Sequence, residues 1–261
     1  MFLAFTSSLR SADLSRQVGA VIAKGDEILA TGANDCPKFG GGLYWPQLNP
    51  DTHEIEDKED GRDYKRGEDS NKIEQQKIID GILSKAGALG IDHAKLTEAL
   101  EQSRIRDLTE YGRVVHAEMD AILSCARNNT STRDGQIFCT TFPCHNCAKH
   151  IIAAGIKRVV FIEPYQKSKA IEFHTDTISV GFNPAINTVH FEPFVGVGPR
   201  RFFDLFSVRL GAGYPLKRKD DDGLVIPWEL NQNSKLRVQM LPGSYLELES
   251  EAKIRFEKNR K

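Results

Sequence analysis

The amino-acid sequence predicts a domain of the α/β class, in which helices cover a central sheet. Residues 135–163 follow a strand–helix–strand pattern, which favours a right-handed crossover between two parallel strands. Two short strand-like segments, 18–23 and 27–31, flank Lys24-Gly25-Asp26 and predict a β-hairpin, because Gly and Asp suit a tight turn. Apolar residues make up 40% of the 261 residues, so the chain can bury a sizeable core.

The other elements follow from hydrophobic spacing along the chain. In chain order the sequence predicts a helix over 2–16, helices over 72–86, 94–102 and 114–127, a strand over 135–141, a helix over 143–154, and a strand over 158–163. Beyond about residue 195 the pattern weakens. Residues 217–222 are interpreted as a charged turn or a flexible loop.

Residues 35–70 differ in composition from the rest of the chain. Three consecutive glycines at 40–42 and three prolines indicate irregular backbone. Residues 51–70 carry about five more acidic than basic side chains. Two interpretations stay open, a solvated surface insertion and a lid or interface between subunits.

The overall charge and the cysteines restrict the class of protein. A net charge of −1 argues against a general nucleic-acid coat and a polybasic membrane binder, although a local basic patch is compatible with it. Five cysteines with one Cys-x-x-Cys pair fit a reducing compartment and a metal or redox site. No basic segment precedes the apolar start, and no apolar run reaches transmembrane length, so we expect a cytosolic protein without a signal peptide.

Two short motifs carry the predicted chemistry, His116-Ala117-Glu118 and Pro143-Cys144-His145-Asn146-Cys147. A catalytic zinc ion takes three protein ligands and leaves one position for water. Cys144 and Cys147 are three residues apart at a predicted helix start, so both can bind one ion, and the positive helix terminus favours their thiolate forms. His116, from another predicted helix, is the candidate third ligand.

Glu118 is the candidate catalytic acid and base. It follows the His116 ligand by two residues, so its carboxylate can lie beside the metal without binding it. There it can take a proton from water and return it to a ring nitrogen and a leaving amine. The order His-x-Glu followed by Pro-Cys-x-x-Cys is typical of zinc nucleobase deaminases.

Other interpretations of the same residues were weighed. Cys-x-x-Cys alone also occurs in redox and structural zinc sites, and His145 or His150 could complete a closed site. Neither alternative explains both His116 and Glu118, so the two motifs together favour the deaminase. The other three cysteines are interpreted as small packing residues: Cys36, Cys125 and Cys139.

The motifs lie in longer segments that resemble the deoxycytidylate deaminases. The resemblance is carried by Thr140-Thr-Phe-Pro-Cys-His-Asn-Cys-Ala-Lys-His-Ile-Ile-Ala-Ala-Gly-Ile-Lys-Arg-Val-Val-Phe, Val18-Gly-Ala-Val-Ile and Thr31-Gly-Ala-Asn34. It spans roughly 9–36 and 114–170. It implies a cytidine-deaminase-like fold, a three-layer α/β/α sandwich with a central mixed sheet of five strands.

The resemblance also implies a domain organisation. The deaminase domain would comprise residues 1–195, with an insertion at about 37–112. Residues 196–261 would be a C-terminal extension that packs on the core or forms an interface.

The resemblance further implies roles for four residues around the substrate. Asn34 matches the family asparagine that contacts the sugar, and Ser11 matches a family serine near the site. Ala117 would offer its backbone N–H near the reacting ring, and Tyr165 lies at the substrate-side tyrosine.

Candidate phosphate ligands are inferred from the charges of the residues and not from the resemblance, since cationic side chains near a strand end can bind the phosphate of a nucleotide. These candidates are Lys167, Lys169, Arg16 and Lys38. Taken singly, each is more often a solvated surface charge than a phosphate ligand.

Further segments resemble bacterial anti-phage dCTP/dCMP deaminases, which deplete deoxycytidine nucleotides during infection. These segments are 37–46, 163–170 and 193–203. Such proteins usually carry a P-loop domain before the deaminase, and no Gly-x-x-x-x-Gly-Lys-Ser/Thr stands in this sequence, so we expect a fragment or a short member. The resemblance also implies a homo-oligomer and, in some members, an inhibitory small RNA.

The expected activity is zinc-dependent hydrolytic deamination of dCMP, dCTP or both to deoxyuridine nucleotides. A tRNA or single-stranded DNA deaminase would share the site but would need a basic groove with stacking aromatics. A riboflavin-pathway deaminase would carry a fused reductase. A catalytically silent zinc module has no use for the acid Glu118.

Overall fold

The computed structural model describes most of the chain. The described residues are 1–181, 185–208, 217–226 and 242–258. Met1 and residues 3–195 form one compact unit, and Phe2 and residues 196–261 belong to a second. Within the segment 196–261, residues 209–216, 227–241 and 259–261 lie outside the described residues.

In the described part of the chain, eight strands form two sheets. In chain order they are β1 (Gly19–Lys24), β2 (Glu27–Ala33), β3 (Gln47–Leu48), β4 (Ile55–Glu56), β5 (Gln136–Thr141), β6 (Arg158–Glu163), β7 (Ile178–Val180) and β8 (Val189–Pro193). The main sheet has the strand order β2-β1-β5-β6-β8-β7, and β3 pairs with β4 in a small separate sheet. The pairs β1–β2 and β1–β5 are antiparallel and the other pairs of the main sheet are parallel, so the sheet is mixed.

The helices fall between these strands and after them. In chain order they are α1 (Phe2–Ser8), α2 (Asp63–Arg66), α3 (Ser70–Ala88), α4 (His93–Glu101), α5 (Ala117–Arg127), α6 (His145–Ala153), α7 (Ala170–Phe173), α8 (Phe202–Phe206) and α9 (Pro242–Lys258). Two 3₁₀ helices add Arg104–Asp107 and Pro199–Arg201. Within the described ranges no helix is both long and apolar enough to cross a bilayer.

Two glycines show that helices cover both faces of the β1–β2 hairpin. A Cβ at Gly19 would lie 1.9 Å from the Ala4 carbonyl oxygen, and one at Gly32 would lie 2.1 Å from the Ala117 carbonyl oxygen. Gly32 pairs with Ala20, the neighbour of Gly19, so the two glycines face opposite sides of the sheet. Helix α1 therefore packs on one face and α5 on the other, which gives the three predicted layers.

The centre of the main sheet is fully buried. Ile22 of β1 pairs with Ile137 of β5, and neither side chain is exposed to solvent. Val159 of β6 and Phe191 of β8 continue this apolar layer across the parallel strands. Burial of each such side chain stabilises the fold by about 1.5–3 kcal/mol.

The predicted fold class is confirmed, but the number of strands was wrong. The sheet has six strands rather than five. The number five is what the family resemblance implies, and the residue pattern alone predicts only β1, β2, β5 and β6. Neither β7 nor β8 was predicted, and β7 has only three residues, too few to show a periodic pattern. The predicted hairpin and the parallel pair of β5 and β6 are both present.

The predicted first helix over 2–16 was too long, because α1 ends at Ser8. The residues that follow form turns through their own side chains. The Ser11 hydroxyl accepts the amide of Asp13, and a carboxylate oxygen of Asp13 accepts the amides of Ser15 and Arg16. Such local bonds compete with helical ones, and they end the helix early. Residues 221–223 do form a turn, and Lys219 pairs with Val225 across it.

The insertion at 37–112 contains the two helices predicted over 72–86 and 94–102, which are present as α3 and α4, and further elements in the segment 35–70. It holds β3, β4, three helices and the 3₁₀ helix Arg104–Asp107. A buried ion-pair network joins it to the end of β2: Arg62 lies 3.1 Å from Asp35 and 2.7 Å from Asp57. The Arg62 side chain is only 4% exposed, so this network is internal.

Candidate active site

Two helix starts bring the motif residues together. His116 is the N-cap of α5, and Cys144 is the N-cap of α6. The Cys144 sulfur accepts the backbone N–H of Cys147 at 3.4 Å, so it caps the helix and lies on the same side as the second cysteine. Both helices begin two or three residues later than predicted, which places these side chains at the helix termini.

The three predicted metal ligands form one cluster. Nδ1 of His116 lies 3.3 Å from Sγ of Cys144 and 3.4 Å from Sγ of Cys147. All three ligand atoms lie within 4.8 Å of one another. His116 and Cys144 are half-buried and Cys147 is buried, so the cluster is reached from one side.

These donors fit a zinc ion. Two sulfurs and one imidazole nitrogen are the ligand types that zinc prefers. Tetrahedral angles at the usual zinc bond lengths separate a sulfur and a nitrogen ligand by about 3.5 Å, close to the distances found here. The set offers three ligands, which leaves a fourth position, as a catalytic zinc site requires.

The protonation of the cluster also suits a cation. A hydrogen bond with Cys144 raises the pKa of His116 to about 9. The pKa of the Cys144 thiol is lowered to about 4, first by a hydrogen bond from the Cys147 side chain and then by His116. The pKa of Cys147 is raised, first by that bond to Cys144 and then by burial. A divalent cation would replace the protons that these groups share.

Glu118 lies against the cluster. Its Oε2 is 3.4 Å from Sγ of Cys147, and the residue is 4% exposed. Burial raises the pKa of Glu118 above its ordinary value, which favours the protonated form of the carboxyl group. The carboxyl group of Glu118 therefore lies directly beside the candidate metal ligands.

A cavity of about 610 Å³ leads to the cluster, and His116, Glu118 and Cys144 lie in its wall. Core segments and the insertion both contribute to that wall. The other lining residues from the core are Asp13, Leu14, Ser15, Arg16, Val18, Asn34, Val114, Thr141, Phe142, His145, Pro164, Tyr165, Gln166 and Lys167.

Four of the predicted substrate residues lie in the cavity wall: Asn34, Arg16, Tyr165 and Lys167. Asn34 uses both ends of its amide on the backbone, since Oδ1 accepts the amide of Val18 at 2.6 Å and Nδ2 donates to the Arg16 carbonyl at 2.9 Å. One amide hydrogen and one lone pair remain for a ligand. The Arg16 guanidinium carbon lies 5.4 Å from the centre of the Tyr165 ring, a cation–π contact.

The other predicted substrate residues lie outside the described lining of this cavity. Ser11 is buried, and its hydroxyl supports the neighbouring turn. Ala117 is fully buried against strand β2. Lys169 pairs with Glu172 at 2.6 Å, and Lys38 lines a separate surface concavity of the insertion.

The insertion wall is the part of the site that the sequence reasoning missed. It consists of Asp63, Asp69, Asn71, Lys72, Gln75, Arg106, Asp107, Leu108, Thr109 and Gly112. One signal was available, because Gln75 stands four residues before Ile79 on the buried face of α3. A polar residue in an apolar stripe indicates a buried hydrogen-bonding role.

Gln75 has that role. Its amide donates to the carbonyls of Leu108, at 2.6 Å, and Arg106, at 3.3 Å. It therefore fixes the loop after the 3₁₀ helix against α3.

Comparison with known proteins agrees with this geometry. A family profile described as the cytidine and deoxycytidylate deaminase zinc-binding region matches residues 1–163, more than half of the chain. The chain belongs to this deaminase family. Its members are zinc-dependent hydrolytic deaminases, so the protein is an enzyme of that class, and the His116, Cys144 and Cys147 cluster is the candidate site for the zinc.

Individual relatives of this deaminase bear similar descriptions. The deoxycytidylate deaminase of Enterobacteria phage T2 is 31% identical over 167 residues, which cover 64% of this chain and 79% of the relative. The human deoxycytidylate deaminase is 44% identical over 54 residues, 21% of this chain and 29% of the relative. The dCMP deaminase of cyanophage S-TIM5 in complex with dCMP and dUMP aligns with a TM-score of 0.40 and 21% identity, over 73% of this chain and 90% of that one.

Proposed function

We propose that this deaminase hydrolyses the 4-amino group of deoxycytidine nucleotides, dCMP or dCTP, and forms the matching deoxyuridine nucleotide and ammonia. The position of Glu118 carries the proposal, since its carboxylate lies 3.4 Å from a sulfur of the metal cluster at the end of a cavity. The phage and human relatives described as deoxycytidylate deaminases support the choice of substrate.

Glu118 carries out the proton transfers of the reaction. Its carboxylate takes one proton from the attacking water and delivers it to N3 of the ring, while the water oxygen forms a bond to C4. Glu118 then moves the second proton of that water to the amine, and the C4–N bond breaks to release ammonia. Bound zinc supplies the Lewis acidity that lets water lose a proton near neutral pH. His116, Cys144 and Cys147 would hold it.

The remaining groups orient the nucleotide. Asn34 contacts the sugar with the free part of its amide, and the Ala117 backbone N–H lies toward the ring. Tyr165 lies on the substrate side, with Ser11 supporting the site. Lys167, Arg16 and Lys169 are the proposed phosphate ligands, and the first two have the stronger support because they line the cavity.

The wider setting is proposed from the resemblance of the sequence to anti-phage deaminases. Residues 1–195 form the deaminase domain and residues 196–261 an extension. The enzyme acts in the cytoplasm as a homo-oligomer, depletes deoxycytidine nucleotides during infection and is restrained in some settings by a small RNA. Light scattering, RNA extraction from purified protein and plaque counts with and without the gene test these points separately.

The activity is tested with the purified zinc-loaded protein. Release of ammonia is followed with dCMP, dCTP, deoxycytidine and a cytosine-containing oligonucleotide, and the products are identified by mass. We expect turnover of a free deoxycytidine nucleotide and little turnover of the oligonucleotide. Deamination of the oligonucleotide alone would instead identify a polynucleotide deaminase, and no ammonia from any of the four would refute the proposal.

A further inference from the structure

One carboxylate of the insertion projects into the substrate cavity and is paired with a proposed phosphate ligand. Asp107 ends the 3₁₀ helix of the insertion and lines the cavity. Its Oδ1 accepts a hydrogen bond from Nζ of Lys167, which belongs to the loop after β6 on the other wall. This ion pair joins the insertion to the core across the cavity.

Other cations surround the same carboxylate. The hydrogen bond from Lys167 lowers the pKa of Asp107, and the charges of Arg104 and Lys72, both from the insertion, lower it further. On the core side, Lys167 lies near Arg16, whose guanidinium rests over the Tyr165 ring. Lys72, Arg16 and Lys167 all line the cavity. Asp107 thus lies near cations contributed by both walls, and among the carboxylates that line the cavity (Asp13, Asp63, Asp69, Asp107 and Glu118) it is the one paired with Lys167.

In the Asp107–Lys167 ion pair, another anion can replace Asp107 as the partner of Lys167. The Lys167 side chain is 61% exposed and the Asp107 side chain 40% exposed. Ion pairs at such exposed positions contribute little to stability, so an incoming anion can replace one partner at low cost. A nucleotide phosphate carries about two charges and several acceptor oxygens, and it binds lysine and arginine more strongly than one carboxylate does.

We propose that Asp107 occupies the phosphate position of the free enzyme, and that the phosphate of the nucleotide displaces it from Lys167. Lys72 and Arg16 then share the phosphate with Lys167. The inference rests on the proposed nucleotide deamination and deepens it. It makes Asp107 a residue that sets nucleotide affinity, because the carboxylate competes with the phosphate for the same cations.

The loop that carries Asp107 is held independently of this pair. Asn71 donates to the Leu108 carbonyl at 2.6 Å, and Gln75 donates to the same carbonyl at 2.6 Å. These bonds come from α3 and do not involve the Asp107 side chain. Replacement of the Asp107 carboxylate therefore changes the charge in the cavity without removing the anchor of the loop.

The test compares phosphate-dependent and phosphate-independent binding. Wild type, Asp107→Asn and Lys167→Met are titrated by calorimetry with dUMP and with deoxyuridine, and kcat and KM are measured for dCMP. Asp107→Asn should tighten dUMP binding and lower KM by about three-fold, since the competing charge is gone. Lys167→Met should weaken dUMP binding by roughly ten-fold. Neither variant should change the binding of deoxyuridine, which carries no phosphate.

The matched control is Asp134→Asn. Asp134 forms a comparable exposed pair with Lys157 at 2.7 Å and does not line the cavity among the described residues. This variant should bind dUMP as wild type does. In the Lys167→Met background, the gain from Asp107→Asn should shrink, because the two residues act on the same phosphate.

Failure of this inference differs from failure of the proposed function. If wild type deaminates dCMP but Asp107→Asn binds dUMP equally or more weakly, the displacement of Asp107 is refuted and the activity stands. An equal gain for dUMP and deoxyuridine would also refute it, since the effect would then not involve phosphate. If wild type turns over no deoxycytidine nucleotide, both proposals fall.

Discussion

At the residue scale, the metal cluster joins side chains that are 28 and 31 residues apart in the sequence. Its members could be predicted because imidazole and thiolate at these spacings have few uses other than metal binding. The position of each is fixed by a helix start, where His116 and Cys144 serve as N-caps. The partners of Lys167 and Asn34 could not be predicted in this way, since hydrogen-bonding side chains and backbone carbonyls occur everywhere in the chain.

Cys147→Ser should lose the zinc. The hydroxyl of serine is a much weaker ligand than a thiolate, and two remaining ligands cannot hold the ion at micromolar concentration. Metal analysis of the purified variant should give well under half an equivalent of zinc per chain. Cys125→Ser is the control, because Cys125 is also buried but lies outside the cluster. Full zinc occupancy in Cys147→Ser would remove this residue from the ligand set.

At the element scale, helix α5 carries both His116 and Glu118, and its distance from the sheet depends on a glycine. Regular segments such as β5, α6 and β6 were predictable from local spacing. The close approach of α5 to β2 was not, because it arises from a contact between residues 32 and 117. A sequence pattern predicts which face of a helix or strand is buried more reliably than it predicts which other element packs against that face.

Gly32→Ala should move α5 and disturb the site. Its Cβ would lie 2.1 Å from the Ala117 carbonyl oxygen and 2.7 Å from the Ala121 amide nitrogen, and backbone atoms cannot yield as a side chain can. We expect a loss of about 2 kcal/mol in the free energy of unfolding, together with a fall in kcat. Denaturant melts and steady-state kinetics provide the measurements.

Gly81→Ala is the matched control, since Gly81 lies in α3 and a Cβ there meets nothing within 4 Å. It should stabilise the protein by roughly 0.5–1 kcal/mol, because alanine favours a helix over glycine. If Gly32→Ala were as stable and active as wild type, the tight packing of α5 on β2 would be wrong.

Arg62 anchors the insertion, and replacement of Arg62 should lower the free energy of unfolding. Arg62→Met would leave Asp35 and Asp57 buried without their cation, at side-chain exposures of 2% and 5%. Such a change typically costs about 3–5 kcal/mol in the free energy of unfolding. Asp35 also accepts the amide of Ala12 at 3.1 Å, so the neighbouring cavity wall should loosen and KM for the nucleotide should rise.

The control for Arg62 is Lys77→Met on the surface of α3. Lys77 pairs with Glu74 at 2.6 Å but is 65% exposed, so its loss should cost less than about 0.5 kcal/mol. Urea melts of both variants give the comparison. Equal stability of the two variants would show that the buried network does not anchor the insertion.

At the scale of the whole molecule, the predicted α/β fold class and zinc cofactor are confirmed, whereas composition did not predict the role of the insertion. The glycines and acidic side chains of residues 35–70 suggested a solvated surface insertion, and a lid or an interface between subunits was the alternative. The helices predicted over 72–86 and 94–102 are present as α3 and α4, and residues of α3 and of the 3₁₀ helix Arg104–Asp107 line the cavity beside the metal cluster. Composition could not reveal this wall, because Gln75 and Asp107 act through specific contacts with backbone carbonyls or with a residue far along the chain.

The role proposed for Glu118 is to move protons beside a metal that it does not bind. The most direct test is the zinc content and dCMP turnover of Glu118→Gln, with Glu27→Gln at an exposed strand end as the control. We predict one equivalent of zinc in both proteins, and a fall in kcat of at least about a thousand-fold in Glu118→Gln alone. Turnover by Glu118→Gln within ten-fold of wild type would contradict the account.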